Sequence, residues 1–275
     1  MTSERIPQYQ SHEAGNSVMI SSELKKKNIL FVEAISDGHL MWHLFGNKIA
    51  PISATGWKGV IEALKIINAY NTSAVASGNQ RIKCLGLIDR DYGNNCEDIS
   101  GLITSKYRDI EIDILETPAG ERILNELGSN VKLADPRAEV NQAYTALLPI
   151  GRMRNHSSNE SLRIIFNEVN FMKYYYSNGS FDLESAVSVI IQKNTSSGRD
   201  CSWVKPLLLD PFSGDVRVII RGHDVTAVLA QWLKKKIGNH ATLTPDDIES
   251  HLRVAARPDE VAHYKWSTEI LQFIS

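Results

Sequence analysis

The sequence is poor in cysteine and has no long apolar run. Its three cysteines, spread over 275 residues, make neither a zinc-binding pattern nor a disulfide framework, which indicates a reducing compartment. No apolar stretch approaches the ~18 residues that a membrane-spanning helix needs. The first residues lack the basic start and apolar stretch of a signal peptide, so none is expected. These absences predict a cytoplasmic protein with no membrane contact.

The sequence also has almost no net charge. It holds 30 Lys and Arg residues against 32 Asp and Glu residues, which gives a formal charge of -2. This balance excludes a bulk electrostatic attraction to nucleic acid, so any contact with phosphates has to come from local patches. The phosphate-binding pattern GxxxxGK is absent. A metal-dependent phosphotransferase therefore ranks last among the functions considered.

Three apolar runs in the first third of the chain end at residues suited to a binding site. The run from Ile29 to Val32 stops at Glu33, the run in "IAPISATG" closes at Gly56, and the run in "IKCLGLIDRD" ends at Asp89 and Asp91. Helical patterns follow the first two runs. This alternation predicts an α/β fold, a Rossmann-like parallel sheet with helices on both faces.

The composition changes along the chain and predicts three parts. Residues 1–24 are expected to form a tail or arm, 25–128 the α/β domain, and 129–275 a mainly helical C-terminal domain. Within the second part, residues 102–116 alternate Ile with acids, which favours a half-exposed strand, although the start of a helix fits equally well. A short strand is expected at 216–220, within the C-terminal domain.

Glu33, Asp89 and Asp91 are the candidate catalytic and metal-binding residues. In parallel sheets, ligands bind at the carboxyl ends of the strands, where all three acids fall. Residues i and i+2 of a strand project together, so Asp89 and Asp91 are expected about 6 to 7 Å apart on one side. Two such carboxylates suit Mg²⁺ (or Mn²⁺), which prefers oxygen ligands and keeps several waters. If the first strand lies beside the third, Glu33 comes from the neighbouring strand end and is a further ligand or a general base for water, as phosphodiester hydrolysis requires. The alternative is that the acids only stabilise a turn in "DRDYGN".

These stretches resemble the Toprim domain of topoisomerases, primases and the overcoming-lysogenization-defect (OLD) nucleases. The matching residues lie in "FVEAISD" (Glu33, Asp37), "SATG" (Gly56) and "LIDRD" (Asp89, Asp91). The resemblance covers about a third of the chain. It implies a Toprim fold for the α/β domain and a Mg²⁺-dependent nuclease.

Further stretches are similar to a narrower group, the AriB family of Toprim effectors in the PARIS anti-phage defence system. They are "TGWKGVIEALK", "RDIEIDIL", "IGRMRNHS" and "RGHDVTAVL". This resemblance implies a toxic nuclease that cuts RNA, with tRNA as the target class, and that an ABC-type ATPase partner (AriA-like) holds inactive until a phage protein triggers release. It also implies a homodimer after release and an essential Glu33. In "RDIEIDIL" it favours Glu111 as an added metal-side acid, with Asp109 second.

Three basic residues are candidates for substrate binding. Lys58 follows the second predicted strand, and Arg152 and Arg154 fall in "GRMRNHSSN", which reads as a polar loop. Lys and Arg side chains can bind phosphate, and Arg does so with two parallel hydrogen bonds. The alternative for each is ordinary solvated surface.

Two other functions stay open from the sequence. The chain could be a non-catalytic Toprim-like interaction module in which the acids are vestigial, or a Toprim nuclease that cuts DNA. An interaction module would not bind a metal through the acids, whereas a nuclease would. A DNA nuclease differs from an RNase in the nucleic acid that it cleaves.

Overall fold

The computed structural model describes residues 6–10, 13–91, 99–166, 171–174 and 180–275. These residues form two compact units. The first contains the described residues of Met1–Arg90, Asn95–Lys106 and Ala256–Ser275, and the second those of Asp91–Asn94 and Tyr107–Ala255. This division differs from the domain boundary predicted at residue 128, because the α/β part ends earlier and the C-terminal residues return to it. In the described part of the chain, no helix is both long and apolar enough to cross a membrane.

Helices and strands alternate in the first unit. Numbered along the whole chain, its elements are α1 (Glu13–Ile20), β1 (Ile29–Val32), α2 (Ile35–Phe45), β2 (Ala50–Ser53), α3 (Trp57–Ala76), β3 (Cys84–Ile88), β4 (Leu102–Thr104), α11 (Pro258–Val261) and α12 (Lys265–Ile274). Short 3₁₀ turns occupy Leu24–Lys26 and Gly46–Lys48.

The four strands form one all-parallel sheet in the order β2-β1-β3-β4. Ile29 at the start of β1 lies opposite Ala50 of β2 and Cys84 of β3. The central position of β1 explains its uninterrupted apolar sequence, since all four of its residues are fully buried. The α/β fold with a parallel sheet is thus confirmed, and the first and third strands, whose pairing the sequence left open, are neighbours.

Helices cover both faces of this sheet. Ile29 and Phe31 pack in one cluster with Leu64 of α3. Leu30 and Val32 face the other side, because neighbouring residues of a strand alternate. The connection through α2 runs from β1 to β2, whereas the connection through α3 crosses β1 in the opposite direction to reach β3. Right-handed crossovers in opposite directions place α2 and α3 on opposite faces.

Helix α3 lies close to the sheet at Gly86 in β3. A Cβ atom there would lie 2.6 Å from Cγ1 of Val60 and 2.7 Å from Cδ1 of Leu64, both in α3. A side chain larger than hydrogen fits at this position only if Val60 and Leu64 shift. Gly86 therefore fixes how closely α3 lies on the strand that leads to Asp89.

The described part of the predicted N-terminal arm packs onto the first unit. Ala14 and Val18 of α1, four residues apart and thus on one helix face, are fully buried in the cluster formed with α3. Ile6 contacts Gly38 of α2, whose added Cβ would lie 2.7 Å from an Ile6 methyl. A free extension is therefore the wrong description of these residues.

The elements of the second unit are helices. They are α4 (Ile110–Leu115), α5 (Pro118–Leu127), α6 (Pro136–Asn159), α7 (Leu183–Thr195), α8 (Val204–Leu209), α9 (Gly222–Lys235) and α10 (Pro245–Ala255). Short 3₁₀ turns occupy Phe171–Tyr174 and Val216–Val218. The short strand predicted at 216–220 is therefore wrong.

Two local predictions are resolved by burial. The alternating Ile residues of "RDIEIDIL" belong to helix α4, because the segment is buried on more than one side: Ile112 and Asp113 are both fully buried.

The polar loop predicted at "GRMRNHSSN" is wrong, since these residues continue α6. Ile150, Met153 and Ser157 are buried at helical spacing, which gives this part of α6 a packed face.

Gly86→Ala is expected to lower the free energy of unfolding by about 1 to 3 kcal/mol, because the added methyl overpacks β3 against α3. Val60→Ala removes the nearest methyl, so the double variant should lose less stability than the sum of the two single variants. Urea unfolding followed by circular dichroism measures the wild type and the three variants. Strictly additive losses would contradict a direct contact between these positions.

Candidate functional site

Glu33 and Asp89 meet at the carboxyl edge of the sheet. Val32, the last residue of β1, pairs with Leu87 of β3, so the residues that follow the two strands lie side by side. The Asp89 N–H donates a 2.7 Å hydrogen bond to Oε1 of Glu33. Both acids are partly buried. The structure therefore brings the Glu33 carboxylate to the backbone of Asp89, so two of the three predicted catalytic residues are neighbours.

Gly56 closes the same edge after β2. Its N–H donates to the Glu33 carbonyl oxygen at 2.8 Å, which ties the end of β2 to the end of β1. The backbone of Gly56 has φ +87°, a left-handed conformation that side chains disfavour, although a Cβ there would meet nothing within 4 Å. Conformation, and not space, requires glycine at this position. The turn delivers the chain directly into α3.

Asp37 shapes the turn that follows Glu33. Its Oδ2 accepts a 2.9 Å hydrogen bond from the Ala34 N–H, and its Oδ1 accepts one from the Ser36 hydroxyl at 3.3 Å. A carboxylate in the first turn of a helix also interacts favourably with the helix dipole. Ala34 has an ordinary extended backbone with φ -129°, so the turn does not require glycine there. Asp37 stabilises the start of α2.

Asp91 is held by a neighbour that the sequence did not reveal. One of its carboxylate oxygens lies 2.6 Å from a terminal guanidinium nitrogen of Arg108. The Arg108 side chain is only 8% exposed, against 38% for Asp91. The prediction that Asp89 and Asp91 project together from one strand is wrong, because β3 ends at Ile88 and neither acid belongs to it. The remainder of the "DRDYGN" turn lies outside the described residues.

Asp109 and Glu111 lie at the start of α4 and differ in environment. Asp109 is the N-cap: its Oδ1 accepts from the Ile112 N–H at 3.3 Å, and its Oδ2 accepts from the Gly222 N–H at 2.7 Å. Burial raises the pKa of Asp109 to about 6, while the hydrogen bond from Gly222 and the nearby Arg108 oppose the rise. Asp109 therefore joins the starts of two helices. Glu111 is half-buried in the first turn of α4.

The two arginines predicted to bind substrate are engaged within the protein. Arg152 donates hydrogen bonds to the carbonyl oxygens of Leu207 and of Asp210, the latter at 2.7 Å. Arg154 is buried and forms an ion pair with Asp224 in the first turn of α9. A buried guanidinium whose charge is already compensated is less suited to a phosphate than an exposed one, and the substrate-binding roles of Arg152 and Arg154 stay predictions.

Lys58 has a different environment. It is exposed at the start of α3, two residues after Gly56, and its Nζ lies 5.4 Å from the centre of the Trp57 ring. Its position next to the carboxyl edge of the sheet is compatible with the predicted phosphate contact. That role stays a prediction.

A second group of potential metal ligands lies in the second unit. Ligand atoms of His223, Asp246 and Glu249 lie within 4.8 Å of one another, and no other His, Cys, Asp and Glu group of three or more in the described part of the chain meets this limit. His223 is in the first turn of α9, Asp246 is in the first turn of α10, and Glu249 lies three residues after Asp246 in the same helix. The sequence gives no signal for this cluster, because the helices are separated along the chain. Asp246 suits the positive end of α10, and the positive ends of α9 and α10 disfavour a bound cation.

The cluster acts as an ion pair between the two helices. His223 Nδ1 lies 2.7 Å from Oε1 of Glu249, which also accepts a 3.0 Å hydrogen bond from the Thr226 hydroxyl. The hydrogen bond to Glu249 raises the pKa of His223 despite partial burial. Burial tends to raise the pKa of Glu249, but the hydrogen bonds from His223 and Thr226 lower it overall.

Asp109→Ala is expected to lower the free energy of unfolding by about 2 to 4 kcal/mol, because it leaves the buried N–H groups of Ile112 and Gly222 without their acceptor. Asp135→Ala is the matched control. Asp135 is also an N-cap aspartate, but it is exposed and accepts from one N–H, that of Ala138. Its removal should cost about 1 kcal/mol. Equal losses in chemical denaturation would contradict the bridging role of Asp109.

The pair of His223 and Glu249 should stabilise the fold within a defined pH range. Because the folded state raises the pKa of His223, its contribution is complete below the ordinary value of 6.5 and is lost as pH rises through the raised pKa. Because the folded state lowers the pKa of Glu249, its contribution is complete above 4.5 and is lost as pH falls through the lowered pKa. The charges that also face His223 are Asp224, Arg221 and Asp246.

His223→Asn should therefore destabilise the protein most between about pH 4.5 and 6.5, by no more than about 1 kcal/mol because the imidazole is largely exposed. Thermal unfolding from pH 4 to 9 measures this difference. His240→Asn, at an exposed histidine, is the control. A destabilisation that keeps the same size across the whole range would contradict the ion pair.

Comparisons with known proteins do not assign this chain to a family. No protein-family model and no curated protein matches it. The resemblance to Toprim nucleases therefore rests on the residues described above.

Proposed function

We propose that the chain is a Mg²⁺- or Mn²⁺-dependent Toprim nuclease. The observation that carries the proposal is the hydrogen bond between the Asp89 N–H and the Glu33 carboxylate, at the edge of a parallel sheet where ligands bind. Glu33 and Asp89 follow the ends of two neighbouring strands, and both are partly buried. Burial at the edge of a core makes a carboxylate more costly than it is in open solvent, and a bound cation offsets that cost.

The residues at this edge fit a hard divalent cation. Glu33 and Asp89 offer carboxylate oxygens, and Mg²⁺ is commonly held by one or two carboxylates together with waters and substrate phosphates. When bound, such an ion neutralises the charge that develops on a phosphodiester and lowers the pKa of a bound water. Glu33 and Asp89 are the residues that would hold it.

The backbone at the same edge favours a phosphate ligand. α2 and α3 begin directly after β1 and β2, so both helix N-termini are at the carboxyl edge of the sheet. Helix N-termini carry partial positive charge and N–H groups that suit phosphate oxygens. Lys58, exposed in the first turn of α3, adds a full positive charge beside them. These groups can orient a phosphodiester against the acids.

The proposed substrate is RNA, with tRNA as the class, and the proposed role is that of a toxic effector in anti-phage defence. Both follow from the resemblance to the AriB family, as do an AriA-like ABC-type ATPase that keeps the nuclease silent and a homodimer after release. The formal charge of -2 fits a nuclease whose contact with RNA is local and brief.

The ion pair of Asp91 favours a second candidate, a non-catalytic Toprim-like module. Arg108 already compensates the charge of Asp91, as expected of a vestigial acid. Titration calorimetry with Mn²⁺ separates the two: a nuclease site predicts binding that Asp89→Asn weakens, whereas a vestigial site predicts no binding dependent on Asp89. Cleavage of DNA but not RNA by the purified chain would instead support the DNA nuclease.

Glu33→Gln is expected to reduce RNA cleavage by about a hundredfold or more, the usual contribution of a catalytic carboxylate. The amide oxygen can still accept from the Asp89 N–H, so the turn should survive while the charge is lost. Glu62→Gln is the matched control, since Glu62 is an exposed acid of α3 in the same unit. The measurement is cleavage of purified tRNA with Mg²⁺ or Mn²⁺, together with sequencing of RNA ends after expression in cells.

The two variants divide the outcomes clearly. Loss of cleavage and of toxicity in Glu33→Gln, with both retained in Glu62→Gln, is the expected result. If wild-type protein leaves tRNA and DNA intact with either metal, and its expression does not harm the host, the nuclease proposal is wrong.

A further inference from the structure

A cavity of about 680 Å³ opens at the other edge of the sheet, where β1 and β2 begin. Asn28, immediately before β1, and the first residues of β2 form its wall, and Trp42 of α2 lines it as well. The four residues of β1 separate this edge from Glu33 by about 13 Å. The cavity is thus distinct from the candidate nuclease site.

The cavity concentrates positive charge. Lys26, Lys27 and Lys48 line it, against a single acid among its described lining residues, Glu23. Glu23 pairs with Lys27 at 3.2 Å. Among the described residues, no carboxylate oxygen lies within 4.0 Å of the ammonium of Lys26 or Lys48. A region of net positive charge in a chain of net charge -2 is a local feature and does not follow from composition.

The fold compensates this charge only in part. Lys48 follows the C-terminus of α2, where the helix dipole contributes about half a negative charge. Together with Glu23, this offsets roughly one and a half of the three positive charges. The cavity therefore retains a positive potential that an anion can satisfy.

The other walls suit an aromatic group beside an anion. Trp42 is half-buried, and Ile49 and Ile52 form an apolar floor. The Asn28 side-chain amide donates to the Lys48 carbonyl oxygen at 3.0 Å, which fixes the backbone that carries the lysine. Tryptophan is a good stacking surface for a nucleobase, and such stacking contributes about 1 to 3 kcal/mol per base.

We propose that this cavity binds a free nucleoside di- or triphosphate, with the lysines on the phosphates and Trp42 on the base. Its volume lies within the usual range of about 300 to 1,000 Å³ for small-molecule sites. The combination of several ammonium groups with one large aromatic ring distinguishes a nucleotide from inorganic phosphate or a simple dicarboxylate. The proposal does not rest on the nuclease function.

The test is titration calorimetry of the full chain with ATP in the presence of EDTA, which removes any contribution of metal at Glu33 and Asp89. Lys48→Glu and Lys26→Glu should each weaken ATP binding about tenfold or more, because each replaces an attractive charge with a repulsive one. The matched control is Lys65→Glu, at an exposed lysine of α3 in the same unit. It changes the net charge equally and should alter the dissociation constant less than about twofold.

Trp42 gives the test for the base. Trp42→Leu should weaken ATP binding several-fold and leave the binding of inorganic tripolyphosphate unchanged. Trp42→Phe keeps an aromatic ring, so its affinity for ATP should lie between those of the wild type and Trp42→Leu. Thermal unfolding of each variant verifies that it is folded.

Three results would overturn the proposal. The first is that ATP does not bind at a concentration of about 5 mM. The second is that Lys65→Glu weakens ATP binding as much as Lys48→Glu does. The third is that Trp42→Leu binds ATP as tightly as the wild type does, and tripolyphosphate likewise. If a short RNA binds with the same lysine dependence but ATP does not, the cavity holds a strand and the free-nucleotide proposal is wrong.

Discussion

The hydrogen bond from the Asp89 N–H to the Glu33 carboxylate is the interaction on which the candidate site depends. The last pair of β1 and β3 is Val32 with Leu87, and β3 ends at Ile88. The backbone N–H of Asp89 therefore lies beyond the paired residues of the two strands. Glu33 supplies the acceptor at 2.7 Å and thereby continues the pairing by one residue with a side chain. A carboxylate in this position has a structural role that is separate from the proposed catalytic one. Loss of the acceptor would disturb the strand ends, whereas loss of the charge alone tests the chemistry.

The sequence predicted the strands and helices that are recognisable from a short run of neighbouring residues. The apolar runs of β1 and β3 identify strands buried on both faces, and the alternation with helices predicts a parallel sheet. The pattern does not give the order of the strands, so the pairing of the first strand with the third, which brings Glu33 to Asp89, is known only from the structure. What the pattern does not contain is where each strand ends. β3 stops at Ile88, one residue before the acids, and the same-side geometry of Asp89 and Asp91 fails for that reason.

The other failures have a common cause, which is pairing between residues far apart in the chain. Asp109 caps α4 and also accepts from Gly222, more than a hundred residues later. Arg154 looks like a surface arginine until Asp224 is seen beside it. A buried charge needs a partner with good geometry, so each such residue has one, but the sequence does not indicate which. Burial likewise made α4 a helix, since alternating Ile residues suit a strand only if one face stays exposed.

The parallel topology gives the two edges of the sheet different electrostatic character. Because α2 and α3 follow β1 and β2, their N-termini stand at the carboxyl edge, and their partial positive charge offsets the acids there. The C-terminus of α2 stands at the opposite edge, where its partial negative charge favours lysine. At the carboxyl edge, two helix N-termini and Lys58 lie with Glu33 and Asp89, so this edge offers both acids and positive groups to a ligand. At the opposite edge, Lys26, Lys27 and Lys48 outnumber Glu23 among the residues that line the cavity, and half a charge from one helix end does not balance them. A cation together with a phosphate suits the first edge, whereas an anion alone suits the second.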